Sequence, residues 1–268
     1  MWNTFKVITS PNNPTFKTLK SLEKTKLRKK QGLFIIEGLK FVKESLSERL
    51  LHPLEFVVIS KEKLEQHSIK EILGICKEKE IKLFVFDPKL FKKLPVTKSS
   101  QGIIGVFKEK RLQKPLNFNS PILILDRIQD PTNIGSILRS AVATGCSGVF
   151  LTKGSADPYS QKATRASAGA VLKIPIMYTE NPKDLRNFLK QKGYLLVCAN
   201  PKEKVSLFEL KLPLKTALIV GNEGSGVTQE WVTLSDLRFS IPIFGKVESL
   251  NVSAATCTIL YFIRFFNQ

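Results

Sequence analysis

Three clusters of polar residues stand out, each following a run of apolar ones. In LDRIQDPTNIGSILRSA (125–141), Asp130-Pro131 forms a turn, Asn133 lies near a helix start, and Arg139 projects about two turns further on. In LIVGNEGSGV (218–227), an apolar strand ends in a Gly-x-x-Gly-x-Gly loop that holds Glu223. Glycine lets backbone approach a ligand closely and tolerates positive φ. In SIPIFGKVESLNVSAATCTILYF (240–262), a strand leads through Gly245 into Ser249-Leu250-Asn251 and a helix. Taken singly, Asp130, Asn133, Ser249 and Asn251 are what turns and N-caps use, and Arg139 is an ordinary surface residue. A turn does not explain a lone acid among loop glycines, and the three clusters together describe a ligand site at strand ends.

Several chemistries are excluded. The glycine loop is neither G-x-G-x-x-G nor a P-loop, and no ribose-binding acid stands at the dinucleotide spacing, which argues against an NAD or ATP enzyme. His52 and His67 are the only histidines, so a Ser-His-Asp triad would need one of them. Cys76, Cys146, Cys198 and Cys257 form no C-x-x-C pair and no His/Cys cluster, so no metal site is expected; they read as reduced, mostly buried thiols.

The elements that must position these clusters alternate along the chain. Residues 14–31 predict a basic amphipathic helix, with Phe16, Leu19, Leu22 and Leu27 at helical intervals. Strands are expected at 33–37, 56–59, 82–86 and 102–107, with helices at 38–50 and near 68–79, giving a small α/β domain. Residues 108–120 are polar, contain Pro115 and read as a linker. Beyond it come strands at 121–126, 148–152, 171–176, 194–199, 216–221 and 238–243. Helices are expected near 134–145, near 158–167, at 182–192 and 228–235, and from about 249. Near-continuous apolar strands between helices indicate a parallel sheet buried on both faces, whose ligands bind at the carboxyl ends of the strands.

The 268 residues carry 42 Lys+Arg against 23 Asp+Glu, a net charge of +19, which calls for a polyanionic partner. Residues 1–115 hold 25 Lys+Arg and 12 Asp+Glu, net +13, so the first segment is expected to grip it. The N-terminus MWNTFKVITSPNNP lacks an apolar core stretch and is not a signal peptide. The apolar end ILYFIRFF is well short of the roughly 20 residues of a membrane span. A cytoplasmic or otherwise reducing setting, without a membrane, is expected.

The run D-P-x-N-x-G-x-x-x-R, then G-x-E-x-x-G, then I-P-x-x-G-x-x-x-S-L-N-V-S resembles the three motifs of the SpoU class of SPOUT RNA methyltransferases, over residues 121–266. The stretches ITSPNNPTFK (8–17), FIIEGLKFV (34–42) and TKSSQGIIGVF (97–107) are similar to the family's substrate-binding domain, which has the fold of ribosomal protein L30e. The departures are small: Val227 stands where Leu is commoner, and Ile243, ahead of Phe244, where Met is usual.

The resemblance implies an α/β chain with a basic, RNA-binding L30e-like domain over 1–107, a linker over 108–120, and a trefoil-knotted, parallel-sheet methyltransferase domain over 121–268. It implies S-adenosylmethionine as cofactor, with Gly221, Ile241 and Leu250 lining the adenosyl pocket. Asn133, Arg139, Glu223, Ser249 and Asn251 would form the catalytic polar centre. A homodimer is implied, with the active site near its interface. Segment 157–169 would send Arg165 toward substrate, or else be a surface capping stretch. The reaction implied is 2'-O-methylation of a ribose in RNA. A separate basic domain favours ribosomal RNA over tRNA, and the intact polar centre argues against a relative that only binds RNA. A guanidinium keeps its proton below a pKa of about 12, so Arg139 is expected to clamp phosphate and stabilise alkoxide charge, not to act as base. Glu223 and Asn133 would orient it, and Ser249 and Asn251 would contact cofactor or ribose.

Overall fold

The computed structural model describes residues 6–48, 50–97 and 99–267. Residues 1–5, on which part of the signal-peptide expectation rests, and Lys98 of the TKSSQGIIGVF stretch lie outside the described residues. The chain divides into two compact units, one of residues up to Lys110 with Tyr159–Arg165, the other of Arg111–Pro158 and the residues from Ala166 on.

The first unit carries strands β1 (Val7–Ile8), β2 (Leu33–Glu37), β3 (Leu54–Ser60), β4 (Lys82–Phe86) and β5 (Ile103–Lys108). Its helices are α1 (Pro14–Ser21), α2 (Thr25–Gln31), α3 (Leu39–Ser47), α4 (His67–Glu78) and α5 (Pro88–Phe91). The strands form one mixed sheet in the order β1-β4-β3-β5-β2. Alternate residues of β3 serve opposite faces, as a pleated strand requires. Phe56 and Val58 join Phe16, Leu19 and Phe86 on one side, and Val57 and Ile59 join Val42, Leu46 and Ile69 on the other.

The basic helix expected over 14–31 is two helices. The chain turns after α1 at Leu22–Lys24, where Arg28 Nη1 donates to the Leu22 carbonyl at 3.0 Å. That break lets both Leu22 and Arg28 be buried, which one straight helix would not allow. Gly32, at φ 62°, ends α2 in the left-handed conformation.

Residues Tyr159–Arg165 complete this first unit. Tyr159 is buried against Phe34 (ring centroids 4.8 Å apart) and His52 (5.3 Å). The Lys110 amide donates to His52 Nδ1 at 3.0 Å. An amide can only donate, so Nδ1 is unprotonated and the neutral ring directs Nε2–H to Tyr159 Oη, 3.3 Å away. Burial pushes the His52 pKa down to about 4; a backbone hydrogen bond at Lys108 opposes this, and the Lys110 charge adds to it. With a folded value below the unfolded one of about 6.5, the contribution of His52 to stability is complete above pH 6.5 and is lost as pH falls from there toward 4. The full effect is on the order of 3 kcal/mol. Chemical denaturation between pH 7.5 and 4.5 should show stability falling in the wild type and falling less steeply in His52→Gln; parallel slopes would contradict this.

The second unit has six strands: β6 (Ile122–Asp126), β7 (Gly148–Thr152), β8 (Ile176–Thr179), β9 (Leu195–Ala199), β10 (Thr216–Gly221) and β11 (Leu237–Phe239). Its helices are α6 (Pro131–Ala143), α8 (Pro182–Gln191), α9 (Gln229–Leu234) and α10 (Val252–Phe265); α7 (Gln161–Ala166) belongs almost wholly to the first unit. Every pairing is parallel, in the order β11-β9-β10-β6-β7-β8. Strands β6, β7 and β10 are buried on both faces, as their unbroken apolar runs require. This is the parallel α/β sheet read from the sequence.

Two strand positions differ from expectation. The apolar run 171–176 starts as a 3-10 turn (Ala170–Leu172), and β8 begins only at Ile176, after Pro175. Strand β11 ends at Phe239, and Ile241-Pro242-Ile243 continue as irregular chain. Proline lacks the N–H that a ladder needs, so both runs lose their strand character beside it. Among the described residues no helix is long and apolar enough to cross a membrane.

Candidate active site

Strands β6 and β10 are neighbours although their paired residues, such as Asp126 and Gly221, lie 95 positions apart, so the loops after these two leave the same end of the sheet side by side. Next to them, after β6, Pro131 starts α6, with the Asp130 side chain capping the Thr132 amide at 2.8 Å. This helix start presents Asn133, which is 7% exposed.

Asn133 is the centre of a chain of hydrogen bonds joining all three clusters. Its Nδ2 donates to Glu223 Oε1 at 2.8 Å, and its Oδ1 accepts from Asn251 Nδ2 at 3.1 Å. Asn251 is also the N-cap of α10, accepting from the Ser253 amide at 2.9 Å and from Ser253 Oγ at 2.6 Å. Capping and site-building are thus one arrangement: the cap fixes the amide that reaches Asn133.

The Glu223 carboxylate further accepts from the amides of Gln129 (3.3 Å) and Asp130 (3.4 Å). Partial burial pushes its pKa up, but the hydrogen bonds from Asn133 and from backbone amides outweigh that and hold it below the ordinary carboxylate value. Glu223 is therefore a fixed negative charge at neutral pH.

The glycine loop is closed by Asn222, which the sequence reading did not single out. Its Oδ1 accepts from the amides of Gly224 (3.0 Å) and Ser225 (2.9 Å), and its Nδ2 donates to the Arg127 carbonyl at 3.0 Å. Backbone bonds in both directions pair Asn222 with Gly226. Gly221 must be glycine for this loop, because a Cβ there would collide with the Gly226 carbonyl and the Val227 amide. Arg127, Asp126 and Thr152 were likewise unmarked. Asp126 is buried at the end of β6, accepting from the Thr228 amide at 2.7 Å and from Thr152 Oγ1 at 3.1 Å.

Arg139 and Ser249 stand apart from this network. Arg139 lies six residues past Asn133, about 9 Å along α6 and about 120° around it; it is exposed and bonds to no described residue. Within this chain Glu223 and Asn133 bond to each other, to Asn251 and to backbone, and neither bonds to Arg139. Ser249 is exposed, and its side chain bonds to no described residue. Arg165, in the first unit, has its Nη2 3.8 Å from Glu37 Oε2, whose carboxylate also accepts from Thr97.

Residues 241–250 make no hydrogen bond to any described residue, leaving their backbone donors and acceptors open. Ile241 is half-buried, Leu250 is 41% exposed and Phe244 is 92% exposed. Open backbone groups beside apolar side chains, close to a carboxylate, suit a nucleoside-bearing cation. Burial pushes the Cys146 and Cys198 thiols up to about 12 and Cys76 to about 11, so these three stay protonated. Among the described residues no cluster of His, Cys, Asp or Glu could hold a metal ion.

Comparison with known proteins bears on this geometry. The SpoU rRNA Methylase family matches residues 120–261, and an MRM3-like substrate binding domain matches residues 13–105. The 23S rRNA (guanosine(2553)-2'-O)-methyltransferase RlmP of Bacillus subtilis is 30% identical over 97% of this chain and 99% of its own. An uncharacterized tRNA/rRNA methyltransferase of Synechocystis is 29% identical over 96% of this chain and 93% of its own. A crystal structure of an AdoMet-bound rRNA methyltransferase from Sinorhizobium meliloti superimposes with a TM-score of 0.85 at 25% identity, covering 97% of this chain and 98% of that one.

Proposed function

The chain belongs to the SpoU rRNA methylase family, and from that premise we propose that it methylates the 2'-hydroxyl of a ribose in ribosomal RNA, using S-adenosylmethionine. The observation that carries this reading is the single hydrogen-bonded line Glu223–Asn133–Asn251, which draws all three family motifs to one end of the parallel sheet. The RNA class follows from the relative that acts on 23S rRNA and from the substrate-binding domain match over the basic first segment. A tRNA substrate is the second reading, favoured by relatives named for both RNAs.

When bound, S-adenosylmethionine supplies a methyl group on a positively charged sulfur. The residues suited to hold it are Gly221, Ile241 and Leu250, with the open backbone of 241–250 reading the adenosyl group. Glu223, ionised and fixed, favours positive charge nearby without needing to move. Asn133 and Asn251 hold Glu223 in register and, with Ser249, offer polar groups to the ribose. Arg139, exposed and bonded to no described residue, is placed to take the substrate phosphate beside the attacked ribose and to stabilise the oxygen as it loses its proton.

The domain assignment belongs to the same reading: residues 1–107 grip RNA, 108–120 link, and 121–268 form the knotted catalytic domain. So does a homodimer, for which the exposed aromatic side chains Phe208, Tyr261, Phe265 and Phe266 of the second unit supply apolar surface. Arg165 is a further candidate for substrate contact. Calorimetric titration should show saturable binding of S-adenosylmethionine and none of NAD or ATP, with a dimeric mass by light scattering at micromolar concentration. Tight binding of NAD or ATP instead would overturn the cofactor assignment.

A further inference from the structure

We propose that Arg127 is a positioning residue for methyl transfer: its side chain clamps the Ser225–Gly226 turn and so holds Glu223 against Asn133. The inference rests on the reading of the site given above, but the residue lies outside the three motifs that carry it.

Arg127 has φ 57°, in the left-handed region that non-glycine side chains rarely occupy. Strain of this kind persists only where surrounding bonds enforce it, and it gathers at functional sites. Here the enforcing bonds are visible. The Arg127 amide donates to Thr152 Oγ1 at 3.0 Å, and its carbonyl accepts from Asn222 Nδ2 at 3.0 Å. The conformation sends the guanidinium across to the glycine loop, where Nη2 donates to Ser225 Oγ at 3.3 Å and to the Gly226 carbonyl at 3.4 Å.

Nε is buried without a hydrogen-bond partner, 3.7 Å from Asp126 Oδ1. A guanidinium that leaves one buried N–H unbonded is placed for what its other end reaches. What it reaches is the base of the loop that bears Glu223. The loop that follows Arg127 supplies the Gln129 and Asp130 amides to the Glu223 carboxylate. Arg127 therefore ties both loops that meet at Glu223, one through its own backbone and the other through its side chain.

Arg127→Gly separates this role from a merely structural one. Glycine adopts φ 57° without strain, so the fold is relieved while the clamp is lost. The melting temperature should fall by no more than about 2 °C. Single-turnover methylation should slow about tenfold or more while KM for RNA stays within about twofold. Arg127→Lys keeps a positive charge beside Asp126 but lacks the planar fork, and should regain less than about a third of the rate.

Amide hydrogen exchange at Asn222 and Gly226, read in the same variants, should quicken about tenfold in Arg127→Gly. This readout does not depend on finding the RNA substrate. An inactive wild type with faster exchange in the variant would sink the proposed function and leave the clamp standing. Unchanged exchange, wild-type turnover in Arg127→Gly, or full recovery in Arg127→Lys would overturn the clamp.

Discussion

Replacing Arg139 by alanine should slow single-turnover methyl transfer by a factor on the order of 10²–10³, as for loss of one preorganised donor, with S-adenosylmethionine affinity hardly changed. The separation follows from the structure. Arg139 bonds to no described residue, so its loss leaves Glu223–Asn133–Asn251 intact and removes only what it gives to substrate. Arg139→Lys should recover part of the loss, because an ammonium keeps the charge but not the two-pronged match to a phosphate. A base role predicts something different: an amine that deprotonates near pH 10 would bring Arg139→Lys toward wild-type activity as pH rises to about 10. Rates across pH 6–10 for wild type and both variants distinguish the two, and near-normal rates in Arg139→Ala would remove Arg139 from the mechanism.

The second large effect is expected in the first unit. Changing Lys24, Lys26, Lys29 and Lys30 of the α2 segment to glutamine should weaken RNA binding about tenfold or more. It should also flatten the dependence of log K on log salt by roughly 0.7 for each phosphate that these lysines no longer neutralise on a single-stranded target. The four side chains are exposed and pair with no described acid, so their charge is available to a polyanion. Cofactor affinity should not change. Four substitutions are a cleaner test than cutting the chain at residue 107, because Tyr159 is buried against Phe34 and His52, and Gln161 donates to the Pro95 carbonyl. Truncation would strip those side chains of their partners and confuse RNA binding with folding. An unchanged salt slope in the quadruple variant would place the RNA elsewhere.

What was legible in the sequence is what is encoded locally. The apolar runs of β6, β7 and β10 announced a buried parallel sheet, and the capping-type residues near 130 and at 249–251 put helix starts within about three residues of Pro131 and Val252, because capping needs only the next two or three residues. Where proline interrupts an apolar run, as at Pro175 and Pro242, periodicity alone could not say that the ladder stops.

Least legible were the bonds across the sheet. Arg127 meets Ser225 only because β6 and β10 lie side by side, and no pattern near residue 127 reports that. Asn222 was hidden by its own motif, where the glycines and Glu223 draw the eye while the amide closes the loop. The one signal available for Arg127 was its place right after the buried Asp126 at a strand end, where site residues of parallel sheets gather.

The most direct test of the account is a methyl-transfer assay with purified protein, labelled S-adenosylmethionine and ribosomal RNA from cells that lack this gene. The account predicts label on a single nucleotide, carried by the ribose, so that the adjoining phosphodiester resists alkaline cleavage. Label found on a base, or no transfer to any RNA by protein that binds the cofactor, would contradict it.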